Sequence, residues 1–121
     1  STVAEGRRLA AELLRLPAER RPTAIFAHND QMAVGARDAL RDAGLRCPDD
    51  VSVVGYDDSR LVAFTDPPLT TLRQSVQAMG TAAVQALMDE INGTPAPRDE
   101  FMFRPELIVR SSTGAAPRHD H

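Results

Sequence analysis

Four residues in this chain have the types and spacing to do chemistry at one place: Asn29, Asp30, Asp57 and Asp58. Each lies just after a short apolar run. Thr23-Ala24-Ile25-Phe26-Ala27 leads into His28-Asn29-Asp30, and Val51-Ser52-Val53-Val54-Gly55-Tyr56 leads into Asp57-Asp58. Runs this short, apolar and β-branched read as strands buried on both faces, the pattern of a parallel sheet covered by helices. In open α/β sheets, ligands bind just beyond the carboxyl ends of the strands. One chemistry open to these groups is recognition. Asn29 offers donors and an acceptor and Asp57 acceptors only, a set that suits vicinal hydroxyls or a polar ring edge. Another is phosphoryl transfer, with the three aspartates holding Mg²⁺ beside a phosphoacceptor. A third reading is structural, with Asp57 and Asp58 merely opening a loop or capping the next element. Phosphoryl transfer of that kind needs a lysine, and all 14 basic residues here are arginines. The residues therefore favour recognition over an enzyme.

Other chemistries lack their groups. There is no G-x-G-x-x-G, no Walker-type phosphate loop and no G-x-S-x-G elbow. Cys47 is the single cysteine, which excludes an internal disulfide, and it has no partners at metal-ligand spacing. His119 and His121 flank Asp120 in a small, polar tail, residues 113–121, which is expected to be a loose end rather than a metal site. No cofactor and no metal are expected. The formal net charge of −3 and pI near 5.5 argue against this segment itself gripping a phosphate backbone. No apolar run approaches the length needed to span a bilayer, and the first residues carry no signal-peptide pattern.

The elements that must position these groups are legible in the periodicity. Thr2 and Glu5 have capping-box spacing, and Val3, Ala10, Leu13 and Leu14 continue as a helix to about Leu16, stopped by Pro17. After the Thr23–Ala27 strand, Met32, Gly35, Ala36, Ala39, Leu40 and Ala43 form one apolar helical stripe, closed by Gly44 as a left-handed cap. Val34 falls off that stripe, on the face shared with Asp38 and Arg41. The Val51–Tyr56 strand comes next, so right-handed crossovers make the strands parallel. Leu61, Val62 and Phe64 lie in an aperiodic segment, where apolar residues either fold back onto the core or face a partner. Leu69–Leu72 reads as a further strand. Ser75 caps a third helix whose apolar stripe runs from Val76 to Ile91, with Gly93 at its end, and Glu106–Arg110 is a last strand. The fold class is α/β, a parallel sheet flanked by helices.

Three ordered motifs carry a resemblance. Phe26–Gly35 (FAHNDQMAVG), Ser52–Asp58 (SVVGYDD) and Pro67–Gln74 (PPLTTLRQ) resemble the effector-binding domain of the LacI/GalR family of bacterial transcription regulators. The resemblance covers the chain to about Ser112. It implies a partial periplasmic-binding-protein-like type I domain, with residues 1–112 forming its C-terminal portion and 113–121 a flexible tail. The helix at 75–93 would cross over to pack on an N-terminal lobe that this chain lacks. Asn29 and Asp57 match the family's effector-binding positions, and Asp58 would orient the loop. Val34, Leu61, Val62 and Phe64 match its dimer interface. The implied function is binding a sugar or related small metabolite within a cytoplasmic, homodimeric DNA-binding regulator, most often a repressor. Operator DNA would be contacted only through a helix-turn-helix outside this chain, with no membrane involved. The alternative sharing the fold is a fragment of a periplasmic sugar-binding protein of a transport system.

Overall fold

The computed structural model describes residues 2–60, 62–93 and 104–117, so Leu61 and His119–His121 lie outside the described residues. The elements run α1 (Val3–Leu14), β1 (Ala24–Phe26), α2 (Asp30–Asp42), β2 (Ser52–Tyr56), β3 (Thr70–Arg73), α3 (Val76–Ile91) and β4 (Glu106–Ile108). The four strands form one sheet in the order β1-β2-β3-β4. β1 pairs parallel with β2 with Phe26 opposite Val54, and β2 pairs parallel with β3 with Tyr56 opposite Leu72. The sequence and its α/β pattern thus produce the expected parallel arrangement, with β2 in the interior and Val51 and Val53 buried.

The helices start and stop on local chemistry. The Thr2 hydroxyl accepts from the Glu5 amide at 3.1 Å, which begins α1. α1 ends at Leu14, two residues before the expected stop, because the amides of Arg15 and Leu16 turn to carbonyls three residues back. α2 closes in a Schellman arrangement. Leu45 N–H reaches Leu40 O at 2.9 Å, Gly44 N–H reaches Arg41 O at 3.1 Å, and Gly44 sits at φ +73°.

α1 and α2 meet backbone to backbone at two glycines. A Cβ on Gly35 would collide with Val3 O and come within 2.6 Å of Arg7 N, and one on Gly6 would collide with Met32 O. Ala33, Ala36, Ala39 and Leu40 are buried alongside. The buried surface of α2 is therefore wider than the expected stripe. Ala33, off that stripe, is fully buried and lies where a Cβ on Gly55 would meet it. Val34, expected on an open face, is half-buried and packs on the core for the same reason. Ala43, by contrast, is exposed.

Three further expectations are corrected. β1 is not buried on both faces: it is an edge strand, Phe26 is 63% exposed, and only Ile25 of the strand packs on the core. Val62 faces no partner. It is fully buried, and its carbonyl accepts from Leu69 N–H at 2.9 Å and from the Thr65 hydroxyl at 2.8 Å, so the loop folds back onto the core. The chain is also still tied down where the loose tail is expected to begin, just after Ser112. That residue is fully buried, its hydroxyl donating to Val53 O and accepting from Thr70 N–H, while Val53 N–H donates to Ser112 O. Thr113 and Gly114 continue the stitching through the Thr70 and Ser52 hydroxyls. The Cys47 thiol, half-buried, points at Ser112 O, and burial pushes its pKa up.

The chain divides into two units, residues 1–73 with 107–121, and residues 74–106. Within the second, α3 carries the expected apolar stripe, but none of its residues is buried. Ser75 occupies the N-cap position without a side-chain capping bond, and Gly93 sits at φ +73° after the C-cap. Among the described residues, no helix is long and apolar enough to cross a membrane.

The glycine crossing sets a test. Gly35→Ala forces backbone apart at α1 and is expected to cost about 1–3 kcal/mol of unfolding free energy. Urea denaturation checks this, and a stability equal to wild type would show that α1 does not approach α2 so closely.

Candidate functional site

The ends of β1, β2 and β3 come together at one rim. Ala27 N–H still bonds Val54 O; Asn29 follows β1 by three residues as the N-cap of α2, and Asp57 follows β2 directly. The structure thus brings these two to neighbouring strand ends. It also gives Asn29 a second task. Asn29 is extended (φ −152°, ψ 176°) and its Oδ1 accepts from Met32 N–H at 2.9 Å, which caps α2. Its amide NH₂ remains the group able to donate to a ligand.

Asp57 and Asp58 leave β2 with positive φ, +103° and +54°. For residues other than glycine this conformation is uncommon and costs energy, and such outliers gather at functional sites. The two side chains then part. Asp57 is exposed, and its N–H extends the ladder to Leu72 O at 2.9 Å. Asp58 is turned inward and its side chain is 11% exposed. Its Oδ2 receives Nε and Nη2 of Arg73, both at 2.8 Å, and its Oδ1 receives Nη2 of Arg110 at 2.8 Å. Arg110 is 18% exposed and Arg73 51%, so solvent screens the Arg73 bridge more and the Arg110 bridge is the stronger. Burial alone would push the Asp58 carboxyl up. The hydrogen bonds and charges of Arg110 and Arg73 outweigh it and hold the group below the usual carboxylate range.

Asp30, read from sequence as one of three rim aspartates, lies beneath the rim. It is buried, with Oδ2 accepting Ser59 N–H at 2.5 Å and Oδ1 accepting the Thr71 hydroxyl at 2.8 Å. Its place in the first turn of α2 suits an acidic side chain. A Cβ at position 55 would collide with Asp30 Oδ1, so only glycine fits there. With Asp30 committed inside and Asp58 to two arginines, Asp57 is the one of the three that is exposed and has no side-chain partner among the described residues. Among the described residues no three His, Cys, Asp or Glu side chains gather as a metal site.

No local motif marks any of the arginines as part of the site. Arg73 and Arg110 are far apart in the chain, and only the sheet order places both beside the end of β2. Of the residues expected at a dimer surface, Phe64 is 87% exposed and Val34 half-buried.

The two inner aspartates can be tested separately. Asp30→Ala orphans a buried hydroxyl and a partly buried amide and is expected to lower the unfolding free energy by about 1–3 kcal/mol, read by urea denaturation; no measurable loss would contradict its structural role. Asp58 has a folded-state pKa below its unfolded value. Its stabilisation is then complete above the ordinary carboxylate range and is lost as pH falls through the depressed value. Wild type and Asp58→Asn are expected to converge in stability as the solution is acidified, whereas a gap constant with pH would contradict the assignment.

Known proteins show the family to which this fold belongs. Residues 1–113 match the family described as periplasmic binding protein-like domain. The HTH-type transcriptional regulator MalR of Streptomyces coelicolor is 62% identical over 95 residues, covering 78% of this chain and 28% of that protein. The HTH-type transcriptional repressor PurR of Aliivibrio fischeri is 39% identical over 109 residues, covering 90% of this chain and 32% of that protein. A LacI-family regulatory protein from Chloroflexus aggregans superposes with TM-score 0.87 at 37% identity, over 94% of this chain and 41% of that one. A LacI-family regulator from Lactobacillus casei with bound sucrose gives TM-score 0.75 at 34% identity, over 93% and 41%. A dimeric Lac repressor with an 11-residue C-terminal deletion gives 0.82 at 34%, over 97% and 42%. The chain therefore spans about a third of the length of the curated relatives it matches. By sequence and by fold, it belongs to the periplasmic-binding-protein-like domain of LacI/GalR-family transcriptional regulators.

Proposed function

We propose that this chain supplies one wall of the effector pocket of a LacI-type transcriptional regulator, with Asp57 as the ligand-contacting carboxylate and Asn29 beside it as donor. The observation that carries the reading is the exposed Asp57 side chain, held in a left-handed conformation at the end of the interior strand, with Asn29 following the end of the adjacent strand. A carboxylate acceptor beside an amide donor suits vicinal hydroxyls, hence a sugar or a related polyol-like metabolite. The sucrose held by the Lactobacillus casei relative supports that class. In the intact regulator the effector would act through its differential affinity for two arrangements of the domain, one favouring operator DNA bound through a helix-turn-helix outside this chain. A repressor role accords with the named relatives, and a DNA-binding regulator works in the cytoplasm.

Pairing into a homodimer is supported by the dimeric repressor of the same fold. Phe64, a large apolar side chain left almost wholly in solvent, and Val34, half-covered on α2, are the described residues offered to that partner. Val62 is spent in the core and contributes nothing there.

In the intact regulator, Asp57→Ala is expected to abolish release from operator DNA by sugar while leaving DNA binding in its absence. A mobility-shift assay with glucose, maltose and sucrose reads both properties. Release by one of these sugars that persists unchanged in the variant would remove Asp57 from the site.

A further inference from the structure

We infer that Arg73 and Arg110, acting through Asp58, are positioning residues that hold Asp57 in its left-handed conformation at the rim. The inference rests on the reading of Asp57 as the effector contact and adds what keeps it in place. Two consecutive non-glycine residues at positive φ do not persist unless their surroundings over-determine them. Here the surroundings do so from every side. Three successive amides are taken by acceptors from different elements: Asp57 N–H by Leu72 O at 2.9 Å, Asp58 N–H by the Thr71 hydroxyl at 3.3 Å, and Ser59 N–H by Asp30 Oδ2 at 2.5 Å.

Both oxygens of Asp58 are engaged by arginine, one from the end of β3 and one from the segment after β4. With its side chain only 11% exposed and turned to the two arginines, Asp58 acts on binding through its neighbour. Arg110 is itself fixed. Its Nη1 donates to Leu69 O at 2.9 Å and its backbone N–H to the Thr70 hydroxyl at 2.9 Å. The clamp thus fastens the turn to the start of β3 and to the segment that Ser112 stitches into the sheet. Asp57, by contrast, makes no side-chain bond among the described residues that would hold its own backbone in this conformation. The residue that meets the ligand is placed by the residue after it.

The test uses the intact regulator and two readouts. Amide exchange resolved at residues 57–59, with the α2 amides as internal reference, requires no ligand. Arg110→Met and Asp58→Ala are expected to raise exchange at 57–59 by about tenfold or more while α2 keeps its protection. Calorimetric titration with glucose, maltose and sucrose gives the second readout. Asp58→Ala is expected to weaken sugar binding about tenfold, and Asp58→Gly to recover part of that loss, because glycine adopts φ near +54° without the clamp. Unchanged exchange at 57–59, or exchange rising equally in α2, overturns the positioning role. An Asp58→Gly variant that binds more weakly than Asp58→Ala also overturns it. If Asp57→Ala binds sugar as wild type does, the effector reading itself fails and the positioning role falls with it. If Asp57→Ala abolishes binding while the clamp variants bind normally, only the clamp is wrong.

Discussion

The arrangement depends on a carboxyl group that never reaches the surface. Asp30 begins α2, yet its side chain turns under the sheet ends and accepts from Ser59 on the loop after β2 and from Thr71 on β3. One buried group therefore fixes a helix start, a loop and a strand relative to each other. Inside the protein such bonds gain strength from the low dielectric, and any donor left without its partner is costly. The constraint propagates to position 55, where a side chain would collide with Asp30. The apolar run Val51–Tyr56 is interrupted by glycine for that reason, and the rim above inherits its geometry from what lies beneath.

Small residues do the corresponding work between the helices. Gly6 and Gly35 let α1 and α2 touch through their backbones, and the alanines of α2 allow the same helix to lie close to β2. Close packing of this kind trades apolar area for fit, and it tolerates little added volume. A rigid helix–sheet base beneath the rim is what a recognition site requires, since contacts on ordered elements are placed more precisely than contacts on free loops.

At the rim, three aspartates of identical chemistry take three different roles because their surroundings differ. Asp30 is an internal acceptor, Asp58 is an anchor neutralised by two arginines, and Asp57 is left in solvent with an unusual backbone. Asn29 caps α2 with its side-chain oxygen. The rim formed in this way is polar. The apolar face of α3 and the exposed side of β1 remain uncovered among the described residues.

The sequence by itself determined whatever depends on neighbours a few residues away. The cap at Thr2 and the left-handed glycines at 44 and 93 act within one turn of helix, so composition and spacing reveal them. Strand identity, the parallel order and the family motifs were legible for the same reason, since periodicity and turn chemistry are local. Tertiary structure decided everything whose partner is remote. Asp58 meets Arg110 52 residues away, and Asp30 meets Thr71 41 residues away, so no window along the chain shows either pairing. Burial obeyed the same division. Val62 and Phe64 are two apolar residues in one irregular segment, yet one is wholly inside and the other almost wholly outside. Nothing local separates them, because burial is set by what the rest of the chain brings alongside.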